Sequence, residues 1–158
     1  MLNERSLPRA ADPVDLVIFD LDGTLVDSRD DIAASINVGL FAVGAPQRRF
    51  AEIPPLIGRP LDEMFGELLP AGLGDRVEDA AAAYRADYFE NCARHSSLFP
   101  GVCECLDRLA GVARAIATTK QTFQAVRVTD RFGLRRRFDL VQGTDGIPHK
   151  PDPTVIFQ

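Results

Sequence analysis

The chain has 158 residues, 46% hydrophobic and 26% charged, with a formal net charge of −5. This is the composition of one globular domain, or of one with a smaller insert, and a net-negative chain lacks the broad cationic footprint of a nucleic-acid binder. No apolar run approaches the ~20 residues of a membrane span, and the opening stretch MLNERSLPRAADPVD has no apolar segment that would make it a signal peptide.

Residues 1–14, rich in Pro, Arg and Asp, read as a loose leader. Leu16–Phe19 predicts a short, fully buried strand, because its apolar residues run on without alternation. Asp20 and Asp22 follow at once, with Gly23 as the turn residue. Ser28 is the expected N-cap of a first helix, with Asp30 and Asp31 in the turn where the helix dipole favours negative charge. Ile32, Ile36, Leu40 and Val43 share one face of it, and Gly44 and Pro46 end it. Pro54, Pro55, Gly58 and Pro60 then impose a loop, followed by a short helix over about 61–69.

Asp75 and Glu78 resemble a capping box opening a long helix over roughly 76–94, with Val77, Ala81, Tyr84 and Tyr88 or Phe89 facing inward. Val102–Ala110 predicts a further helix. ARAIATT is a second strand ending in the hydroxyls of Thr118 and Thr119. Thr122 is placed to cap the next helix, which ends near Gly133. FDLVQG is a third strand running to Gly143, TDGIPHKPDP a loop, and Thr154–Gln158 the start of a helix.

The remaining polar features have plain readings. Arg135, Arg136 and Arg137 read as a solvated helix end rather than a phosphate patch. Cys92, Cys103 and Cys105 are an odd count without a secretory segment, which points to reduced thiols and a cytoplasmic protein. Cys-x-Cys alone is a poor zinc signal. His95 reads as a structural residue near a helix C-terminus. His149 reads as a loop histidine beside Lys150.

Strands separated by helical crossovers imply an α/β fold with a parallel sheet and right-handed connections. In such sheets ligands bind beyond the carboxyl ends of the strands. Those ends carry Asp20 and Asp22, Thr118 and Thr119, and the loop with Lys150. A carboxylate can attack phosphorus and form an acyl phosphate. A second carboxyl two residues on can protonate the leaving oxygen and later activate water. Two neighbouring carboxylates also attract a hard cation such as Mg²⁺. Thr118 can hydrogen-bond a phosphoryl oxygen, and Lys150 can offset charge on Asp20 and on the transferring group. Each piece alone has a plainer reading: Asp-Gly after a strand is a common hairpin turn, so VIFDLDGTLV could equally form a β-hairpin.

Together these residues resemble the haloacid dehalogenase (HAD) superfamily. FDLDGTLVDS is similar to its first motif, AIATTK to its second, and HKPDP to its third. The likeness runs from about Asp15 to Gln158 and is nearest the phosphoglycolate phosphatase-like branch, which carries a helical cap between the first two motifs. It implies a Rossmann-like core over 15–28 and 97–158 with an all-helical cap over 29–96. It further implies Asp20 as nucleophile and Mg²⁺ ligand, and Asp22 as general acid/base whose backbone carbonyl also binds Mg²⁺. Thr118, Thr119 and Lys150 would hold the phosphate, and Arg59 in the cap is a candidate for a substrate anion. An acid at position 22 favours phosphate over carbon–halogen chemistry, since expelling halide needs no proton.

The superfamily's fourth motif, an acidic loop that completes the Mg²⁺ site, has no counterpart up to Gln158, so the reading is of a C-terminally truncated member with an incomplete sheet. The resemblance implies a Mg²⁺-dependent phosphatase of a small phosphorylated metabolite, 2-phosphoglycolate being one candidate. A sugar-phosphate mutase of the same branch and an impaired remnant acting as a binding module are the alternatives. Oligomeric state stays open.

Overall fold

The computed structural model describes residues 13–157, so all but the last two positions of the expected leader lie outside the described residues. Three parallel strands, β1 (Leu16–Phe19), β4 (Ala113–Ala117) and β5 (Leu140–Gln142), form the main sheet in the order β1-β4-β5. Leu16 pairs with Ala113 and Phe19 with Ile116, while Ala115 pairs with Leu140 and Ala117 with Gln142. The hairpin alternative is thereby excluded: β1 pairs in parallel with β4. The residues after it turn tightly, with Gly23 (φ +79°) donating its N–H to the Val26 carbonyl.

Between β1 and β4 the chain forms β2 (Val26–Asp27), α1 (Arg29–Ala42), α2 (Leu61–Leu68), α3 (Val77–Asn91), β3 (Ser97–Leu98) and α4 (Val102–Arg108), and α5 (Thr122–Arg131) links β4 to β5. β2 and β3 pair antiparallel, Val26 with Leu98 and Asp27 with Ser97. Nothing in the sequence reading anticipated this ribbon. It is only two residues long on each strand and ties together the outgoing and returning chains of the helical insert.

The insert packs as the apolar spacing requires. Ile32, Ile36, Leu40 and Val43 are buried, as are Ala81, Tyr84 and Tyr88 of α3, while Phe89 stays partly exposed. At Gly39 the two helices come so close that a Cβ would stand 2.6 Å from the Ala80 carbonyl oxygen and 2.6 Å from the Phe65 ring. Only glycine permits that approach. α3 is fastened to α5 at its far end: the Phe89 and Phe123 rings lie 5.8 Å apart, and Arg127 sits 4.8 Å above Phe89.

Burial of β1 corrects the sequence reading. Leu16 is 48% and Ile18 38% exposed, so the strand is not buried on both faces. Right-handed crossovers advancing in one direction, β1 to β4 to β5, put α4 and α5 on the same side of the sheet. Arg114 and Ile116 face that side, where Arg114 donates to the Leu106 carbonyl of α4 and Phe19 meets Phe138 edge-on at 5.8 Å. Leu16, Ile18 and Leu140 point the other way, to a face left largely open among the described residues.

The expected caps are also corrected. Ser28 and Thr122 make no capping bond, and α3 begins after a 3₁₀ turn over Gly74–Arg76 instead of a capping box. α5 is capped from 23 residues away, by Asp145 accepting the Thr122 N–H. α3 ends at Asn91 rather than near 94, and the last turn, Pro153–Ile156, is 3₁₀.

Candidate active site

The carboxyl ends of β1 and β4 and the loop after β5 converge. Lys150 Nζ lies 3.0 Å from Asp20 Oδ1 and 2.6 Å from the Ala117 carbonyl, the residue before Thr118. One ammonium thus joins the ends of β1 and β4. Asp20 is exposed, and its Oδ2 makes no hydrogen bond or ion pair among the described residues.

Asp22 is held differently. Ser28 Oγ donates to its Oδ1 at 2.5 Å, and Lys120 Nζ meets its Oδ2 at 3.1 Å. This is why Ser28 does not cap α1: its hydroxyl is committed to the carboxylate six residues back. Lys120, 9% exposed, also donates to Tyr88 Oη at 3.2 Å and lies 4.3 Å from the centre of that ring. Burial, the largest single influence, pulls the Lys120 ammonium's pKa down, but the Asp22 carboxylate together with Tyr84 and Cys92 more than offsets it, and the net shift is upward from the ordinary lysine value. Burial pushes the Tyr88 phenol well above its ordinary value.

Lys120 is the site residue that sequence reasoning passed over. The available signal was its place directly after Thr118 and Thr119 at the end of β4, where a lysine cannot snorkel freely to solvent. Its backbone is gripped from both sides. Its N–H reaches Thr118 Oγ1 at 3.3 Å, and its carbonyl accepts the Thr144 N–H at 2.9 Å. Gly143 makes the second contact possible, because a Cβ there would overlap the Lys120 carbonyl and the Thr122 nitrogen.

Thr118 is almost wholly buried, and its carbonyl accepts from Thr144 Oγ1 at 3.0 Å. Thr119 faces a cavity of about 360 Å³ that opens between the sheet end and the helical insert. Asp22, Lys120, Arg59, Arg85 and His149 also line it. Arg59 therefore shares a cavity with Asp22, although its guanidinium pairs at 2.8 Å with the exposed Glu67. His95, by contrast, gives its backbone N–H to Asp31, as Ser96 does, which anchors the returning chain to α1.

A bound Mg²⁺ would need hard oxygen donors. The Asp20 carboxylate is of the right kind, but both Asp22 side-chain oxygens are engaged. Among the described residues no three His, Cys, Asp or Glu side chains converge. The donor set fits Mg²⁺ in kind and is short in number, a situation in which the ion retains water and leans on substrate phosphate.

An exposed aspartate bridged by lysine to the neighbouring strand, with a second carboxylate two residues on, marks the carboxyl end of this parallel sheet. Residues 17–158 match the haloacid dehalogenase-like hydrolase family, and the chain belongs to it. It is 40% identical over 135 residues to the tyrosine-protein kinase PtkA of Mycobacterium tuberculosis, covering 83% of this chain and 45% of that protein. It is 31% identical over 150 residues to the phosphoglycolate phosphatase of Pseudomonas fluorescens, covering 90% and 55%. Among solved structures, the haloacid dehalogenase-like protein SP0104 of Streptococcus pneumoniae superposes with a TM-score of 0.80 at 31% identity, over 92% of this chain and 68% of that one. The chain spans about half the length of the two curated relatives named here.

Proposed function

We propose that the protein is a phosphomonoester hydrolase that works through an aspartyl-phosphate on Asp20, with the helices over 29–96 acting as a cap over the cavity. The observation that carries this reading is the lysine bridge from Lys150 to Asp20 Oδ1 and the Ala117 carbonyl, which leaves Asp20 Oδ2 free to attack. Oδ2 forms a bond to phosphorus as the bond to the leaving oxygen breaks, and Asp22 delivers a proton to that oxygen. Ser28 suits this exchange, since its hydroxyl donates to an ionised Asp22 and accepts from a protonated one. Asp22 then takes a proton from water, which attacks the acyl phosphate, releasing phosphate and restoring Asp20.

Lys150, the Thr118 hydroxyl and the Thr119 backbone N–H hold the phosphoryl oxygens. Mg²⁺, bound by Asp20 and the Asp22 carbonyl, would supply charge neutralisation at the phosphate. The named likeness to a phosphoglycolate phosphatase makes 2-phosphoglycolate a first substrate to try. The test is release of inorganic phosphate from 2-phosphoglycolate and an aryl phosphate, with and without Mg²⁺, beside Asp20→Asn. Release that requires Asp20 supports the reading.

A second reading, phosphoryl transfer to a protein tyrosine, is favoured by the 40% identity to PtkA. ATP and a tyrosine peptide in the same assay separate the two: labelled peptide without steady phosphate release would replace hydrolase by kinase.

A further inference from the structure

Lys120 is a buried cation with no part in the chemistry outlined above. A buried ion pair is weak evidence for stability, because well-packed apolar residues often serve as well. Its contacts suggest a different service. Asp22 has its two oxygens held by two different elements: Ser28 at the start of α1 and Lys120 after β4. Lys120 in turn touches Tyr88, which belongs to α3 of the helical insert and stacks on Tyr84 at 5.3 Å, nearly parallel. Tyr84 lines the cavity. A continuous line of contacts therefore runs from the cavity wall through Tyr84, Tyr88 and Lys120 to the Asp22 carboxylate.

We infer that Lys120 is a positioning residue that locks the Asp22 carboxylate in one orientation and joins it to α3 through Tyr88, so that the seating of the helical insert sets the aim of the acid/base. This role rests on the phosphatase reading. The geometry gives it content: the backbone of Lys120 is fixed by Thr118 and Thr144, and its ammonium is held between Asp22 and Tyr88, so the side chain is a buried strut. Tyr88 Oη is the one part of α3 that hydrogen-bonds the strut. Removing that oxygen loosens the link without emptying the core, because the ring still packs beneath the ammonium.

The test is kinetic, on the full chain, with an aryl phosphate as substrate and the rate of Asp20→Asn subtracted as the blank from every variant. Lys120→Met is expected to lower kcat by ~100-fold, the loss that a misaimed group brings, with KM moving less than about threefold because the substrate's own contacts remain. Lys120→Arg is expected to restore part of kcat. Tyr88→Phe is expected to lower kcat by about tenfold in the wild-type background and to have no effect in the Lys120→Met background, since linked residues act as a unit. Wild-type kcat in Lys120→Met, a change confined to KM, or independent effects of the two substitutions would overturn the role. Should circular dichroism show Lys120→Met unfolded, Lys120→Arg and Tyr88→Phe decide: both at wild-type kcat would overturn it. Absence of Asp20-dependent release in the wild type would sink the phosphatase reading itself and this role with it, an outcome distinct from the others.

Discussion

Lys150 Nζ sits 3.0 Å from Asp20 Oδ1, across 130 residues of sequence. The two meet because β1, β4 and β5 are parallel, so that the loop after β5 returns to the same end of the sheet as the residue after β1. The pair is partly solvent-exposed, with side-chain exposures of 33% and 45%. Such pairs add little to stability, about 0–1 kcal/mol. Lys150→Met is therefore expected to unfold at nearly the wild-type temperature while losing ~100-fold or more in kcat, because the charge it supplies is needed only as the phosphoryl group transfers. Thermal melts and phosphate release on the same preparation check both halves. A large drop in melting temperature would make the bridge structural.

The chain has two tyrosines, Tyr84 and Tyr88, and no tryptophan. Burial raises the pKa of both phenols above their ordinary value, and Lys120 beside them is raised too. Groups with raised folded-state pKa values contribute stability that is intact below the unfolded values and is lost as pH climbs toward the folded ones. Stability is thus expected to hold up to about pH 10 and fall above it. Phenolate absorbance should then appear only together with loss of circular dichroism. Phenolate forming near pH 10 in the folded protein would show that α3 does not bury its tyrosines.

Gly39→Ala should destabilise the protein by about 1–3 kcal/mol, the usual range for overpacking. Its methyl would meet the Ala80 carbonyl, which cannot move without shifting α3. Urea denaturation measures this. Gly66→Ala, where a Cβ meets nothing within 4 Å, is the control expected to be neutral or mildly stabilising.

Arg59 pairs with Glu67 on the surface, with side-chain exposures of 49% and 58%, so a substrate anion can exchange for that partner at small cost. Arg59→Ala is expected to raise KM for a phosphate ester bearing a carboxylate and to leave KM for an aryl phosphate with no anionic group beyond the phosphate nearly unchanged. Equal effects on both would remove Arg59 from substrate selection.

The open sheet face joins Leu16, Ile18 and Leu140, beside an edge strand whose outer backbone groups have no strand partner among the described residues. Such surfaces promote self-association. Sedimentation should show concentration-dependent association that Leu16→Lys with Leu140→Lys weakens. A strictly monomeric wild type would contradict this.

The sequence was most legible where one residue type had one reason to be where it is. The α/β order, the inward face of α1 and the meeting of Asp20 with Lys150 all followed from apolar spacing and from strand ends that carry polar groups. The misses have physical causes. A continuous apolar run such as LVIF looks the same whether one face is covered or two, so the exposure of Leu16 and Ile18 was invisible. Ser28 and Thr122 look like caps in isolation, but their hydroxyls serve Asp22 and the Gly143 N–H. The cap of α5 comes from Asp145, across the loop, and no local pattern encodes that. Lys120 was missed because its value lies in two partners, Asp22 and Tyr88, that are each far away along the chain.

Hydrolysis through Asp20 requires a transient covalent bond between that carboxylate and phosphorus. Rapid quenching of the protein during turnover of an aryl phosphate, followed by borohydride reduction and peptide mapping, would report it. An acyl phosphate on Asp20 would be reduced to homoserine at that position, in the wild type and not in Asp20→Asn. Steady phosphate release with aspartate intact at position 20, or homoserine at another carboxylate, would contradict the mechanism.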